Sequence, residues 1–151
     1  MDINHQGINH LYQELIIDHG TAPRNHHKLQ DATCVKEGYN PLCGDQITLY
    51  LKIENNMIIH ASFEGKGCAI SQASASIMAE MLHGKSVRQA EELFEEFQAV
   101  MTTNLPFTES LGKLLAFNGV KTFPTRIKCA TLAWHTLKAA LQQSEQLVTT
   151  E

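Results

Sequence analysis

The sequence is sparing in the features that mark special environments. It has no basic run able to neutralise phosphates or anionic lipid: 12 Lys+Arg stand against 16 Asp+Glu, a formal charge of -4. That balance argues against nucleic acid and against membrane as partners. No apolar run approaches the ~20 residues of a membrane span. The opening MDINHQGINH has neither the basic nor the apolar region of a secretory signal, so the expectation is a cytoplasmic protein. Gly (9) and Pro (4) are too few, and charge too modest at 19%, for collagen-like, disordered or coiled-coil chains. Cysteine is limited to Cys34, Cys43, Cys68 and Cys129, with no C-x-x-C pair, so local spacing announces neither a zinc ribbon nor a thioredoxin-type motif. In a reducing compartment four such residues lean towards metal or thiol chemistry rather than disulfides.

What is present is a globular chain of 151 residues, 43% hydrophobic, the size of one domain spanning 1–151. Ile8, Leu11, Tyr12, Leu15 and Ile16 fall on one helical face, predicting a helix over 5–19 that Gly20 and Pro23 stop. An irregular connection follows, with a third strand expected between Cys34 and Tyr39. Ile47, Leu49, Leu51 and Ile53 then alternate with Thr48, Tyr50, Lys52 and Glu54. After Asn55-Asn56, residues Met57, Ile59, Ala61 and Phe63 alternate with Ile58, His60, Ser62 and Glu64, which predicts a β-hairpin over 46–64.

Beyond Cys68 the pattern turns helical. A small-residue helix over 69–83 carries Ile70, Ala73, Ile77 and Met81 on one side. Ser86 to Gln89 reads as a capping box before a helix over 87–103, whose apolar stripe opposes a solvated face of Glu91, Glu92, Glu95 and Glu96. A short helix over 109–118 is expected to end at Gly119, and a long one over 125–143 carries Ile127, Ala130, Trp134, Leu137 and Leu141 inward. The tail SEQLVTTE shows no partner. These elements predict an α+β domain, a small antiparallel sheet packed on one face by several helices.

The hairpin brings its two ends together, and with them Cys43-Gly44-Asp45 and Cys68. Gly44 removes bulk between Cys43 and Asp45 so that both can face one ion. Cys68 precedes one helix and Cys129 opens another, positions that favour thiolates. If the last helix meets the hairpin mouth, Cys43, Asp45, Cys68 and Cys129 supply three thiolates and one carboxylate, a tetrahedral zinc set. A lone cysteine is ordinarily a small buried hydrophobe, and Cys34 fits that description. Cys129 and His135 lie about 240° apart around their helix, so they form no nucleophilic dyad. His60 and His83 read as exposed polar residues, and His26-His27 as a polar loop pair with some capacity for metal. Arg126 and Lys128 flank Cys129, where they either bias it electrostatically or simply solvate a helix start.

LYQELIIDHGTAPRN, NPLCGD, GKGCAISQASASIM and PTRIKCATLAWHTL, in that order, resemble the SufU branch of the IscU/NifU N-terminal-domain family of iron–sulfur cluster assembly proteins, from about Leu11 to Leu141. The resemblance implies a SufU/IscU-like fold. It also implies a metal and cluster site on Cys43, Asp45, Cys68 and Cys129. IscU-type members carry His before the third cysteine and a Leu-Pro-Pro-Val-Lys chaperone signal; here Lys128 and KTFPTR stand in those places, and the segment from Gly84 to Met101 is extra, as in SufU proteins. By resemblance the chain binds Zn2+, takes sulfur from a SufS-type cysteine desulfurase and serves downstream Fe–S assembly proteins. Docking of the desulfurase then supplies a His that releases Cys43 to attack the persulfide, while Asp45 keeps the ion four-coordinate and Arg126 steadies the site.

The expectation is therefore a sulfur carrier without independent turnover, at most a zinc-dependent sulfurtransferase acting with its desulfurase. Two alternatives stand beside it: a scaffold building a transient iron–sulfur cluster on the same residues, and a structural zinc-binding interaction module. A stand-alone thiol hydrolase lacks a visible base.

Overall fold

A computed structural model describes the backbone of residues 2–142 and 148–149 and the side chains of residues 10–142. Strands β1 (Cys34–Asn40), β2 (Asp45–Glu54) and β3 (Met57–Lys66) form an antiparallel ladder, and β4 (Val148–Thr149) joins it, in the order β3-β2-β1-β4. Helices α1 (Asp2–Thr21), α2 (Ala69–Leu82), α3 (Val87–Thr102) and α4 (Pro124–Leu141) accompany a 3-10 helix (Glu109–Thr122). The α+β class is the one the pattern predicts.

The hairpin forms for the expected reason: Asn55 (φ 51°) and Asn56 (φ 62°) both adopt left-handed backbone, as a two-residue turn between twisted strands requires. Ile47, Leu49 and Leu51 are buried as predicted. The partner strand departs from prediction. Ile58 is fully buried while Met57 and Ile59 are 37% and 48% exposed, because Lys52 pairs with His60 but Ile53 pairs with Ile58. Ile59 is the extra residue of a β-bulge, and one extra residue exchanges the two faces beyond it.

Sheet and helices share one core in which Leu49, Leu51 and Phe63 meet Ile77 and Met78 of α2, Phe97 of α3 and Trp134 of α4. Phe97 sits edge-on to Phe117 at 5.9 Å and tilted against Trp134 at 5.3 Å, within the range of favourable aromatic pairs. Helix α2 is buried nearly all round rather than on one side: Ser74, Ser76, Met78 and Ala79 are enclosed along with Ala73 and Ile77. Its small residues let α1, α4 and β3 all pack on it. The enclosed hydroxyls are bonded. Trp134 Nε1 donates to Ser74 Oγ at 3.1 Å, and Ser74 in turn donates to Ala130 O.

Three further expectations change. Leu11 is 63% exposed; α1 packs instead through Tyr12, Leu15, Ile16 and the buried His19, one turn-spaced stripe just beyond it. The segment expected as a helix over 109–118 is a 3-10 helix that continues past Gly119 to Thr122 and is broken inside by Gly112 (φ 57°, ψ -128°). Within the tail, Val148 and Thr149 pair in parallel with Gly38 and Tyr39, while the remaining residues of SEQLVTTE lie outside the described residues. The capping box at Ser86 and Gln89 is present with both reciprocal bonds. Among the described residues no helix is long and apolar enough to cross a membrane.

Candidate metal centre

The β1–β2 hairpin ends on the ladder pair Asn40 and Asp45, and its turn, residues 41–44, is exposed. Gly44 adopts φ +69° with nothing crowding it, a left-handed conformation that most side chains resist. That bend lets Cys43 and Asp45 turn into one space. Cys43 is exposed, Asp45 fully buried, and Cys129, in the second turn of α4, fully buried. Ligand atoms of these three residues lie within 4.8 Å of one another, and among the described residues they are the group with the geometry to hold a metal ion. The Sγ atoms of Cys129 and Cys43 are 3.1 Å apart.

Cys68 stands one step aside. It is the N-cap of α2, where its sulfur accepts from Ser71 N–H at 3.4 Å, and its own N–H donates to Asp45 Oδ1 at 2.9 Å. Gly67 makes this possible: a Cβ there would lie 2.4 Å from Asp45 Oδ1. The four residues singled out in the sequence thus share one region, three as a compact cluster and the fourth tied to it through a backbone bond.

Electrostatics match a cation site. Burial, then hydrogen bonds with Cys43 and Asp45, push the Cys129 thiol far up. Left alone it keeps its proton at neutral pH, so loading of a metal there would displace that proton. Arg126 is exposed at the start of α4, and the neighbouring Cys68 and Cys129 sulfurs push its guanidinium pKa further up. Lys128 sits beside Cys129 in sequence and is half-buried. Two sulfurs and a buried carboxylate, gathered within 4.8 Å, form a donor set that a thiophilic divalent cation such as zinc fits.

The other candidates lie elsewhere. His26 packs edge-on against Phe63 at 4.9 Å, and His27 stacks over His60 at 5.8 Å. His60 and His83 are half-buried rather than exposed: their rings are 4.7 Å apart, and His83 Nε2 accepts from Ala61 N–H. His135 faces Phe94, away from Cys129. Cys34 donates to Ala140 O, and burial raises its pKa, as befits an unreactive thiol. One residue of the site has no place in the motif reasoning. Asn40, fully buried, donates through Nδ2 to Asp45 Oδ2 and to Cys129 Sγ. Its only signal in the sequence is its place beside Pro41 at the head of NPLCGD.

The family described as NifU-like N terminal domain matches residues 11–150. The chain belongs to that family. It is 44% identical over 134 residues to the iron–sulfur cluster assembly scaffold protein IscU of Thermotoga maritima, covering 88% of this chain and 94% of that protein. It is 40% identical over 137 residues to the zinc-dependent sulfurtransferase SufU of Bacillus subtilis, covering 89% and 92%. Among solved structures, a SUF-system iron–sulfur cluster assembly scaffold protein from Fervidobacterium islandicum superposes with TM-score 0.80 at 40% identity, over 85% of this chain and 94% of that one. The N-terminal part of a NifU-like protein from Brucella abortus shares the fold, with TM-score 0.82 at 23% identity. This chain is thus a member of the iron–sulfur cluster assembly scaffold family, with relatives named both IscU and SufU.

Proposed function

We propose that this protein is a zinc-binding sulfur acceptor that takes persulfide sulfur from a SufS-type cysteine desulfurase and passes it to cluster biogenesis. One observation carries the reading: Cys43 is exposed on a turn while the residues grouped with it, Asp45 and Cys129, are buried. Cys43 can reach a partner's sulfur while the other two remain in place. Zinc held by Cys43, Asp45, Cys68 and Cys129 would keep the thiols ionised and guard them from oxidation. By resemblance to SufU proteins, the longer segment from Gly84 to Met101, most of which forms α3, and Lys128 before Cys129 support the same branch.

The transfer itself balances. The Cys43 thiolate attacks the outer sulfur of the desulfurase persulfide, a new S–S bond forms on Cys43, the old S–S bond breaks, and its electron pair leaves with the desulfurase cysteine as thiolate. Arg126, placed by Cys68 and Cys129, supplies positive charge beside the sulfur that carries charge during the exchange. The protein is a carrier in this scheme, and its turnover depends on the desulfurase.

A second reading keeps the same residues as a scaffold for a transient iron–sulfur cluster, favoured by the name of the Thermotoga relative. Native mass spectrometry before and after incubation with a SufS-type desulfurase and cysteine separates the two. The acceptor predicts one zinc per chain and an added sulfur on Cys43, absent in Cys43→Ala; iron with acid-labile sulfide and no persulfide establishes the scaffold. Zinc that never exchanges, with no sulfur uptake, leaves a structural module and refutes both.

A further inference from the structure

We infer that Asn40 is a positioning residue of the metal centre: its amide holds Asp45 and Cys129 in ligand geometry and anchors the turn from which Cys43 moves. The inference rests on the proposed reading of the site as a metal-binding sulfur acceptor. Asn40 ends β1, directly across the ladder from Asp45, and is fully buried. Nδ2 lies 3.3 Å from Asp45 Oδ2 and 3.7 Å from Cys129 Sγ, and Oδ1 accepts from Leu42 N–H at 3.2 Å. A single side chain therefore touches two members of the metal-sized cluster and the residue adjoining the third.

The chemistry of the neighbours fixes which way the amide points. The Asp45 carboxylate only accepts, so the NH2 end must face it and the Cys129 sulfur beside it; the Leu42 N–H only donates, so the carbonyl end must face it. A flipped amide would set oxygen against oxygen and sulfur and leave a backbone N–H opposed by another donor. Pro41 reinforces the arrangement by restricting Asn40 to extended backbone. Asp45 is consequently held from both sides, Oδ2 by Asn40 and Oδ1 by Cys68 N–H.

This division suits a site that must surrender one ligand and keep the rest. Cys43 sits between Leu42, which Asn40 pins, and Gly44, which is free to bend at φ +69°. Movement of Cys43 pivots on a fixed point instead of dragging Asp45 and Cys129 with it. The N–H donated to Cys129 sulfur also draws electron density from that thiolate and weakens its donation to a metal.

The test uses the full chain and two variants, Asn40→Ala and Asn40→Asp, each loaded with zinc or with cobalt as a spectroscopic substitute, and each checked for folding by thermal melting. Asn40→Ala is expected to lose zinc to a chromophoric chelator roughly tenfold faster than the unaltered chain. In both variants the thiolate-to-cobalt charge-transfer band is expected at longer wavelength, because a thiolate without its N–H donor holds its electrons less tightly. Asn40→Asp keeps the shape and the acceptor toward Leu42, so it carries the spectral outcome if Asn40→Ala fails to fold. A lowered melting temperature with an unshifted band means a merely structural residue and overturns the inference. If the unaltered chain binds neither metal, the reading of the site falls with it; if that chain binds metal and takes up sulfur beside an unshifted band, Asn40 alone loses its role.

Discussion

Cys68 and Asp45 are joined main chain to side chain: the Cys68 N–H donates to Asp45 Oδ1 at 2.9 Å. The contact ties the N-terminus of α2 to the first residue of β2, so the carboxylate that faces the cysteines also positions the thiol that caps the helix. A site assembled from a turn, a strand end and two helix starts gains a common reference point from this one bond.

The contact depends on Gly67, whose missing Cβ leaves room for the carboxylate; a methyl there would stand 2.4 Å from Asp45 Oδ1. Gly67→Ala is expected to push Asp45 off Cys68 N–H, to cost about 1–3 kcal/mol through overpacking and to accelerate zinc loss. Chemical denaturation together with chelator-driven zinc release checks both effects, and a variant matching the parent in each would show that the close approach has no consequence.

Arg126 is exposed yet lies beside the Cys68 and Cys129 sulfurs. Arg126→Ala is expected to slow persulfide formation on Cys43 at least roughly tenfold, a modest share of what removing a catalytic donor commonly costs. Arg126→Lys is expected to recover part of the rate, because the charge remains while the planar fork is lost. Rapid-quench kinetics with desulfurase and cysteine measures this, and an unchanged rate in Arg126→Ala removes the residue from the mechanism.

Much of this architecture was legible in the residues, and the misses have physical reasons. Period-2 alternation and the Asn55-Asn56 turn marked the hairpin, and Ser86 with Gln89 marked the start of α3. Cys43, Asp45, Cys68 and Cys129 stood out because their residue types are the ones metal chemistry needs. Asn40 did not, since an amide announces itself only through the neighbours it bonds. Leu11 and the enclosure of α2 depended on which helices pack around each, information that periodicity within one helix does not contain. The bulge at Ile59 was hidden for a related reason: alternation fixes faces only while the pairing register stays constant.

That bulge yields a direct contrast. Ile58 is fully buried and Ile59 is 48% exposed, although alternation had placed them the other way round. Ile58→Ala is expected to destabilise the fold by about 2–5 kcal/mol, whereas Ile59→Thr is expected to fall within about 0.5 kcal/mol of the parent. Urea denaturation of the two variants decides it, and equal losses would mean that the register shift does not persist in solution.

Acid sensitivity follows from three histidines. His19, His83 and His135 all have pKa values held below the ordinary 6.5, in each case chiefly by burial. His83 also faces His60 and His27, and its Nε2 accepts from Ala61 N–H, a bond that protonation would break. Below pH 6.5 the unfolded chain takes up protons that these folded rings resist, so the unfolded state binds more of them and stability falls with falling pH. Their contribution is fully present above pH 6.5 and is lost progressively below it, towards the depressed folded-state values. Unfolding free energies from urea titrations at pH 7.5 and 5.5 are expected to drop across that interval. The drop should be smaller in His83→Gln, which removes a titrating ring while keeping an acceptor for Ala61. An identical pH slope in parent and variant would show that His83 takes up its proton equally in both states, and that its burial against β3 is not maintained in solution.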